Sequence, residues 1–341
     1  MTATLPPPIS VLMPVRNAAA TLPRALASLS AQTRTDWEAV IVDDGSTDDT
    51  AAVLAAWARR DPRFRLVRQD ARGIVAALNA GLAEARGRWV ARLDADDEAL
   101  PARLALQSAA LEGDSGLGVV SGRVLYGGEA GRHRGYALHV AWLNEVTTEE
   151  AIRLNRFIEA PLAHPSVMFR RELVHSLGGY RDGDFPEDYE LWLRWAEAGV
   201  RMAKVPEAVL RWHDLPDRLS RTDPRYRPAA FYRLKAAYLA RDLARIASGR
   251  DVWVCGAGRP TRRRAAFLEE HGVKITGFVD VDSRKIGGQI RGRPVVAPEA
   301  LPPCDRTFAL GYVGTRGARE AMRAMFAAQG RVEGRDYLMA A

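Results

Sequence analysis

Acidic residues stand at three points in this sequence where they could do chemistry. Asp94-Ala95-Asp96-Asp97 follows the apolar run Trp89 to Leu93. Alternation along an extended segment puts Asp94 and Asp96 on the same side. Carboxylates crowded in this way repel one another unless a cation neutralises them. Hard divalent ions such as Mg²⁺ or Mn²⁺ prefer carboxylate oxygen and complete their shell with water and substrate phosphates. A departing diphosphate needs a Lewis acid of that kind. The competing reading is an acidic loop ahead of a helix, where the macrodipole favours negative charge. Asp43-Asp44-Gly45-Ser46 ends a second apolar run, Val40 to Val42. A carboxylate in that tight turn could accept a hydrogen bond from a nucleobase imide, and a turn followed by an N-cap explains the same residues. Glu187-Asp188, after Phe185-Pro186 at an expected helix start, offers either a base for an attacking hydroxyl or a helix cap.

These residues have to be held by strands and helices, and the first hundred residues alternate the two signals. Strands are expected at Ile9 to Met13, Val40 to Val42, Phe64 to Val67 and Trp89 to Leu93. Between them, Thr21 is expected to cap a helix with Leu22, Ala25, Leu26 and Leu29 on one face and Pro23 in its first turn. Asp48 is expected to cap a second helix, carrying Val53, Leu54 and Trp57, and a third runs from about Ile74 to Ala85. A helix opened by Pro101 follows the Asp94 cluster. This rhythm implies right-handed βαβ units and a parallel sheet, whose ligands sit beyond the carboxyl ends of the strands. Both acidic turns occupy such ends. From about Val119 to Trp212 the pattern is irregular, apart from a helical stretch at Tyr189 to Ala198.

Seen together, the blocks resemble the family 2 glycosyltransferases of the GT-A fold. The match runs through Ile9-Ser10-Val11-Leu12-Met13-Pro14-Val15-Arg16-Asn17, Asp43-Asp44-Gly45-Ser46, Ala77-Leu78-Asn79-Ala80-Gly81 and the Asp94 cluster. It continues in order through His164-Pro165-Ser166, Gly178-Gly179-Tyr180 and Glu187-Asp188-Tyr189-Glu190-Leu191-Trp192, over about residues 8 to 222. The resemblance implies an inverting, metal-dependent enzyme that moves a sugar from a nucleoside-diphosphate sugar, most often a UDP-sugar, to a carbohydrate or glycoconjugate hydroxyl. It implies that Asp44 binds the base, with Pro14, Val15 and Arg16 walling the pocket and Arg72 helping to hold the nucleotide. Asp94 would face the ribose and sugar, Asp96 would ligate Mn²⁺ or Mg²⁺, and Asp188 would be the general base. His213 falls where the family often places a further metal or diphosphate contact. His164 has a structural or acceptor-facing reading.

A helical segment from about Pro228 to Ala247 leads to Ser248-Gly249, where the βαβ pattern restarts. Val252 to Cys255 is expected to be a strand, followed by Gly256-Ala257-Gly258 and a helix to His271, then the strand Ile275 to Val279. Gly256 and Gly258 match two glycines of the dinucleotide fingerprint, Thr261 replaces the third, and Asp280 stands near the ribose-binding position. The expected layout is a GT-A domain over 1–222, with a mixed, mainly parallel sheet flanked by helices. A helical linker over 223–248 and a small Rossmann-like α/β domain over 249–341, of nucleotide-binding type, complete it. A nicotinamide-dependent or nucleotide-sugar-modifying enzyme would need a catalytic Tyr–Lys pair, and Tyr312 has no such partner at helical spacing. A non-catalytic sugar-nucleotide binder would not need Asp44, Asp96 and Asp188 together.

Composition is compatible with this reading. The 341 residues are 47% hydrophobic and carry a formal net charge of +7, which favours anionic partners. The basic residues are spread along the chain, so no nucleic-acid arm is expected. Cys255 and Cys304 stand in no metal-ligand spacing, which points to a reducing compartment. The first ten residues lack a signal-peptide pattern and no run reaches the ~18 apolar residues of a membrane span. A cytoplasmic protein is expected, free or held peripherally at the inner face of the membrane.

Overall fold

The structure, a computed structural model, describes residues 6–128, 134–216, 218–315 and 317–341. They divide into two units. The first takes in residues up to Ile152, Pro161–Gly183 and Glu187–Thr222; the second takes in Arg153–Ala160, Asp184–Pro186 and Asp223–Ala341.

In the first unit eight strands form one sheet: β1 (Ile9–Val15), β2 (Trp37–Asp44), β3 (Phe64–Gln69), β4 (Trp89–Arg92), β5 (Glu98–Ala99), β6 (Leu117–Tyr126), β7 (Met168–Arg170) and β8 (Arg201–Trp212). Their spatial order is β3-β2-β1-β4-β7-β6-β8-β5. Neighbours β3, β2, β1 and β4 run parallel, β7 lies antiparallel between β4 and β6, and β5 is antiparallel to β8. This is the mixed, mainly parallel α/β sheet flanked by helices that the sequence predicts. Both faces are covered. Ile9, Val11 and Met13 point into one core with Leu22, Leu26 and Leu54, while Leu12 points into the other with Leu78, Val90 and Phe169. Two-sided burial explains why β1 and β2 read as continuous apolar runs instead of alternating ones.

The first helix spans Leu22–Ser30 and buries Leu22, Ala25, Leu26 and Leu29. Thr21 holds the N-cap position but its side chain makes no cap bond; its hydroxyl is turned back to Ala18 O at 3.4 Å. Asp48 acts from one residue before the cap position: Asp49 is the N-cap, and Asp48 Oδ1 accepts from Thr50 N at 3.0 Å.

The second unit holds a six-stranded sheet of β9 (Asp251–Cys255), β10 (Ile275–Val279), β11 (Gln289–Ile290), β12 (Arg293–Val296), β13 (Thr307–Gly311) and β14 (Tyr337–Met339), in the order β11-β12-β10-β9-β13-β14. All its pairs are parallel except β11 with β12. Helix Pro228–Ile246, in the stretch read from sequence as a linker, packs on helix Arg259–Glu270 within this unit. Lys235 of that helix reaches Ile158 O at 3.1 Å, so the earlier segment 153–160 is tied into the same unit. No helix among the described residues is long and apolar enough to cross a membrane.

Candidate functional site

The carboxyl ends of β1, β2 and β4 carry the first group of residues. The turns leaving β1 and β2 are laced together: Asn17 Oδ1 accepts from Thr47 N at 2.8 Å, and Ser46 Oγ accepts from Asn17 N at 3.0 Å. Asp43 Oδ1 accepts from Ser46 N at 3.0 Å and closes its own turn. Asp44 is buried and reaches out of the turn. Its carboxylate accepts from Arg72 N at 2.8 Å, Gly73 N at 2.9 Å and the Gln69 side chain at 2.7 Å, so it fixes the 69–73 loop. A carboxylate has about four acceptor directions, and the loop takes three of them. Arg16 stands 4.0 Å from Asp44 with its side chain half exposed, and Arg72 is exposed beside it. Pro14 and the buried Val15 complete β1 beneath them.

Gly45 has φ +68°, and a Cβ there would stand 2.6 Å from Ala71 N. Strain at such a backbone position costs about 1–3 kcal/mol, and the clash is with main chain. Gly45→Ala is therefore expected to lower the melting temperature and weaken nucleotide binding together. Unchanged melting and binding would show that the turn relaxes without the loop it supports.

Beyond β4 the acidic cluster is built as a unit. Ligand oxygens of Asp94, Asp96 and Asp97 all lie within 4.8 Å of one another. Asp94 Oδ1 accepts from the fully buried Arg92 at 2.6 Å. Burial alone would raise the Asp94 carboxyl, but Arg92, Arg218 and His164 hold it below the usual carboxylate range. Asp96 has the opposite balance, raised by burial and then by Asp94. Asp97 is wholly buried and pushed well up, first by burial. Its Oδ1 accepts from His213 N at 2.9 Å, whereas Oδ2 is buried with no hydrogen-bond partner among the described residues. A buried carboxylate oxygen without a donor is costly, and a cation at the cluster would satisfy it. The all-oxygen donor set and this orphaned atom fit a hard divalent ion.

His213 is held differently from the three acids. Its ring contacts Glu98 Oε1 at 2.5 Å, and its backbone amide secures Asp97. Arg218 is the neighbour that the sequence reading misses. Its guanidinium donates to His213 O at 2.6 Å, lies 4.7 Å from the Trp212 ring centroid, and acts electrostatically on Asp94, Asp96 and Asp97. A lone arginine in an irregular loop carries no spacing signal.

Asp188 stands in the first turn of helix Glu187–Glu197. Burial, then the neighbouring Glu187, pushes its carboxyl up to about 7, and Asp94 contributes in the same direction. Asp188 thus feels the charge of Asp94. The remaining blocks build the frame. Asn79 pairs with both backbone groups of Tyr180, at 2.9 and 3.0 Å, and Arg194 ties Gly179 O to Glu190. His164 Nε2 meets Tyr180 Oη at 2.8 Å, and burial holds the imidazole well below its usual range.

In the second unit Gly256, Gly258 and Asp280 gather where β9 and β10 end. Gly256 has φ +103°, and a Cβ would meet Val313 at 2.7 Å and Thr261 at 2.9 Å. Gly258 is the N-cap of helix Arg259–Glu270. Asp280 accepts from Ala257 N at 2.7 Å, Asp282 N at 2.9 Å and Lys285 Nζ at 3.1 Å. These contacts shape the turn from within.

Residues 10–178 match the model described as "Glycosyl transferase family 2". The amylovoran biosynthesis glycosyltransferase AmsE of Erwinia amylovora is 31% identical over 191 residues, 56% of this chain and 69% of the relative. The chain belongs to glycosyltransferase family 2. Solved structures share the fold of this glycosyltransferase at low identity. TarS 1-349 of S. aureus, in complex with UDP-GlcNAc, aligns with a TM-score of 0.55 and 18% identity, covering 77% of this chain and 70% of that one. The mannosyltransferase PcManGT of Pyrobaculum calidifontis, in complex with GDP-Man and Mn²⁺, aligns with a TM-score of 0.50 and 24% identity, covering 78% and 70%.

Proposed function

We propose that this family 2 glycosyltransferase moves a sugar from a UDP-sugar to an acceptor hydroxyl, with inversion, in the synthesis of a bacterial polysaccharide or glycoconjugate. The observation that supports the reading best is the cluster of Asp94, Asp96 and Asp97 beyond β4, whose oxygens lie within 4.8 Å of one another, together with Asp188, whose carboxyl burial and Glu187 raise to about 7. The name of AmsE, a biosynthetic glycosyltransferase, supports the product class, and the complex of TarS with UDP-GlcNAc supports the donor. The place of action in this reading is the cytoplasm or the inner face of the membrane.

Asp188 takes the proton of the acceptor hydroxyl as that oxygen attacks the anomeric carbon. The bond from the anomeric carbon to the diphosphate oxygen breaks, and the electron pair leaves with the nucleoside diphosphate. One base and one displacement give inversion. Pro14, Val15 and Arg16 wall the base pocket, Asp44 accepts from the base, Arg72 holds the nucleotide, and Asp94 faces the ribose and sugar. Asp96, with Asp94 and Asp97 beside it, would hold Mn²⁺ or Mg²⁺; PcManGT is described with Mn²⁺. A divalent ion there supplies Lewis-acid stabilisation of the leaving diphosphate. His213 positions Asp97 through its backbone amide, and Arg218 adds fixed positive charge on the same side.

A donor screen that detects released nucleoside diphosphate tests the reading. Turnover is expected with UDP-sugars in the presence of Mn²⁺ or Mg²⁺. Turnover with GDP-sugars alone would move the base assignment, and release from no nucleotide sugar would remove the proposal.

A further inference from the structure

A second cluster of cations lies at the other end of the first unit's sheet. The pocket of 340 Å³ is lined by Pro8, Arg86, Arg88, Arg171, Glu172 and His175, among others. It sits where β1 and β4 begin: Trp89 N donates to Pro8 O at 3.0 Å, and Arg171 N donates to Arg88 O at 3.0 Å. The acidic turns described above lie at the opposite ends of these strands. A seven-residue strand such as β1 separates the two ends by about 20 Å. No group assigned to sugar transfer lies in this pocket.

Its cations differ in how far they are already committed. Arg86 is tied to the buried Glu38, with Nε at 2.8 Å and Nη2 at 2.5 Å from Oε2. Arg171 spends Nε on Gly87 O at 2.7 Å and keeps its terminal nitrogens. Arg88 is exposed, and its guanidinium has no hydrogen-bond or ion-pair partner among the described residues. It lies over the Trp89 ring, 5.2 Å from the centroid, which orients the group while leaving its N–H edge open. His175 is exposed on the same rim, and Glu172 is the single acid there.

The turn that carries Arg86 and Arg88 is fixed by main-chain packing. Gly87 N and Arg86 N both donate to Ser10 Oγ, at 2.8 and 3.1 Å. A Cβ at Gly87 would stand 2.5 Å from Ser10 N, so the glycine is required for this approach. Arg88 on this turn and Arg171, held against it through Gly87 O and Arg88 O, offer open guanidinium nitrogens of the kind that suits phosphate oxygens. The volume falls at the lower end of small-molecule sites, about 300–1,000 Å³. That leaves room for a phosphate and part of the group esterified to it.

We infer that the pocket of Arg88, Arg171 and His175 is a phosphate-binding site, separate from the donor site. Such a phosphate comes either from a soluble phosphate ester or from an anionic lipid headgroup. The latter would hold the enzyme on a membrane by the face opposite its acidic cluster.

The test uses the full chain and the variants Arg88→Gln and Arg88→Gln/Arg171→Gln, with two probes. Inorganic phosphate is titrated calorimetrically at low ionic strength. Flotation is measured with vesicles of phosphatidylglycerol in phosphatidylcholine, and with phosphatidylcholine alone. UDP binding in Mn²⁺, expected within two-fold of wild type, shows that the variants are folded, and the Arg88 guanidinium makes no hydrogen bond or ion pair among the described residues whose loss would unfold the chain. The expected result is saturable wild-type binding to at least one probe, weakened at least ten-fold in the double variant. Loss confined to phosphate identifies a soluble ligand, and loss of flotation on phosphatidylglycerol identifies the headgroup. Absence of saturable wild-type binding to both probes, or equal binding by the double variant, overturns the assignment.

Discussion

Asp188→Asn is expected to lower kcat by about 10²–10⁴, the usual effect of losing a positioned base, while donor affinity stays within a few-fold. Asparagine keeps the shape and can still accept the Tyr189 N bond that Asp188 Oδ1 makes at 2.7 Å, but it cannot take a proton. Because asparagine can accept that same bond, a merely structural Asp188 predicts near-normal turnover and stability. The pH profile gives a second readout. Burial and Glu187 raise the carboxyl to about 7, and only the ionised form is a base. The wild-type kcat/KM should therefore rise with pH through about 7 and flatten above it, and the variant should lose that limb. A variant with normal turnover would move the base elsewhere, first to the buried Glu187.

The parts of this site that the sequence discloses are those where local pattern and tertiary role coincide. β1, β2 and β4 read directly as apolar runs because the sheet is buried on both faces, and each acidic turn follows its strand without interruption. Asp94 and Asp96 stand out by their crowding on one side of a strand end, and Asp188 by the family block around it. Asp97 is not singled out, since its role depends on burial and on a bond from His213, 116 residues away. Arg92 reads as one more strand residue, yet it is fully buried and bonded to Asp94. Arg218 belongs to the site through charge and through the fold of one loop, which leave no trace in spacing.

The same distinction applies to the irregular half. β7 is three residues long and antiparallel between two longer strands, so neither length nor alternation announces it. β8 begins at Arg201 and runs twelve residues with exposed and buried positions mixed, because its register against β6 shifts along the way. The segment 153–160 is helix end and turn by local pattern; its contacts with Lys235, Asp242 and Arg323, distant in sequence, assign it to the second unit.

Asp96→Ala and removal of divalent metal by chelator are each expected to abolish turnover and to weaken nucleotide-sugar binding strongly. The argument starts from the cluster itself. Asp94, Asp96 and Asp97 bring their oxygens within 4.8 Å of one another, and burial makes that proximity unfavourable for Asp96 and Asp97, whose carboxyls are both raised. Arg92 and Arg218 hold Asp94 low, Arg218 offsets only part of the burial at Asp97 and Asp96, and Asp97 Oδ2 is left buried without a donor among the described residues. A bound divalent ion supplies the missing partner and requires the ionised carboxylates, so its binding should release protons. Calorimetry of Mn²⁺ binding in buffers of different ionisation enthalpy measures that release without reference to activity. Asp97→Asn separates the roles within the cluster. Asparagine retains an acceptor for His213 N and removes one charge, so the fold should persist while Mn²⁺ affinity falls. Full turnover in chelator, or wild-type Mn²⁺ binding by Asp96→Ala, would leave Arg218 and Arg72 as the groups that must stabilise the departing diphosphate.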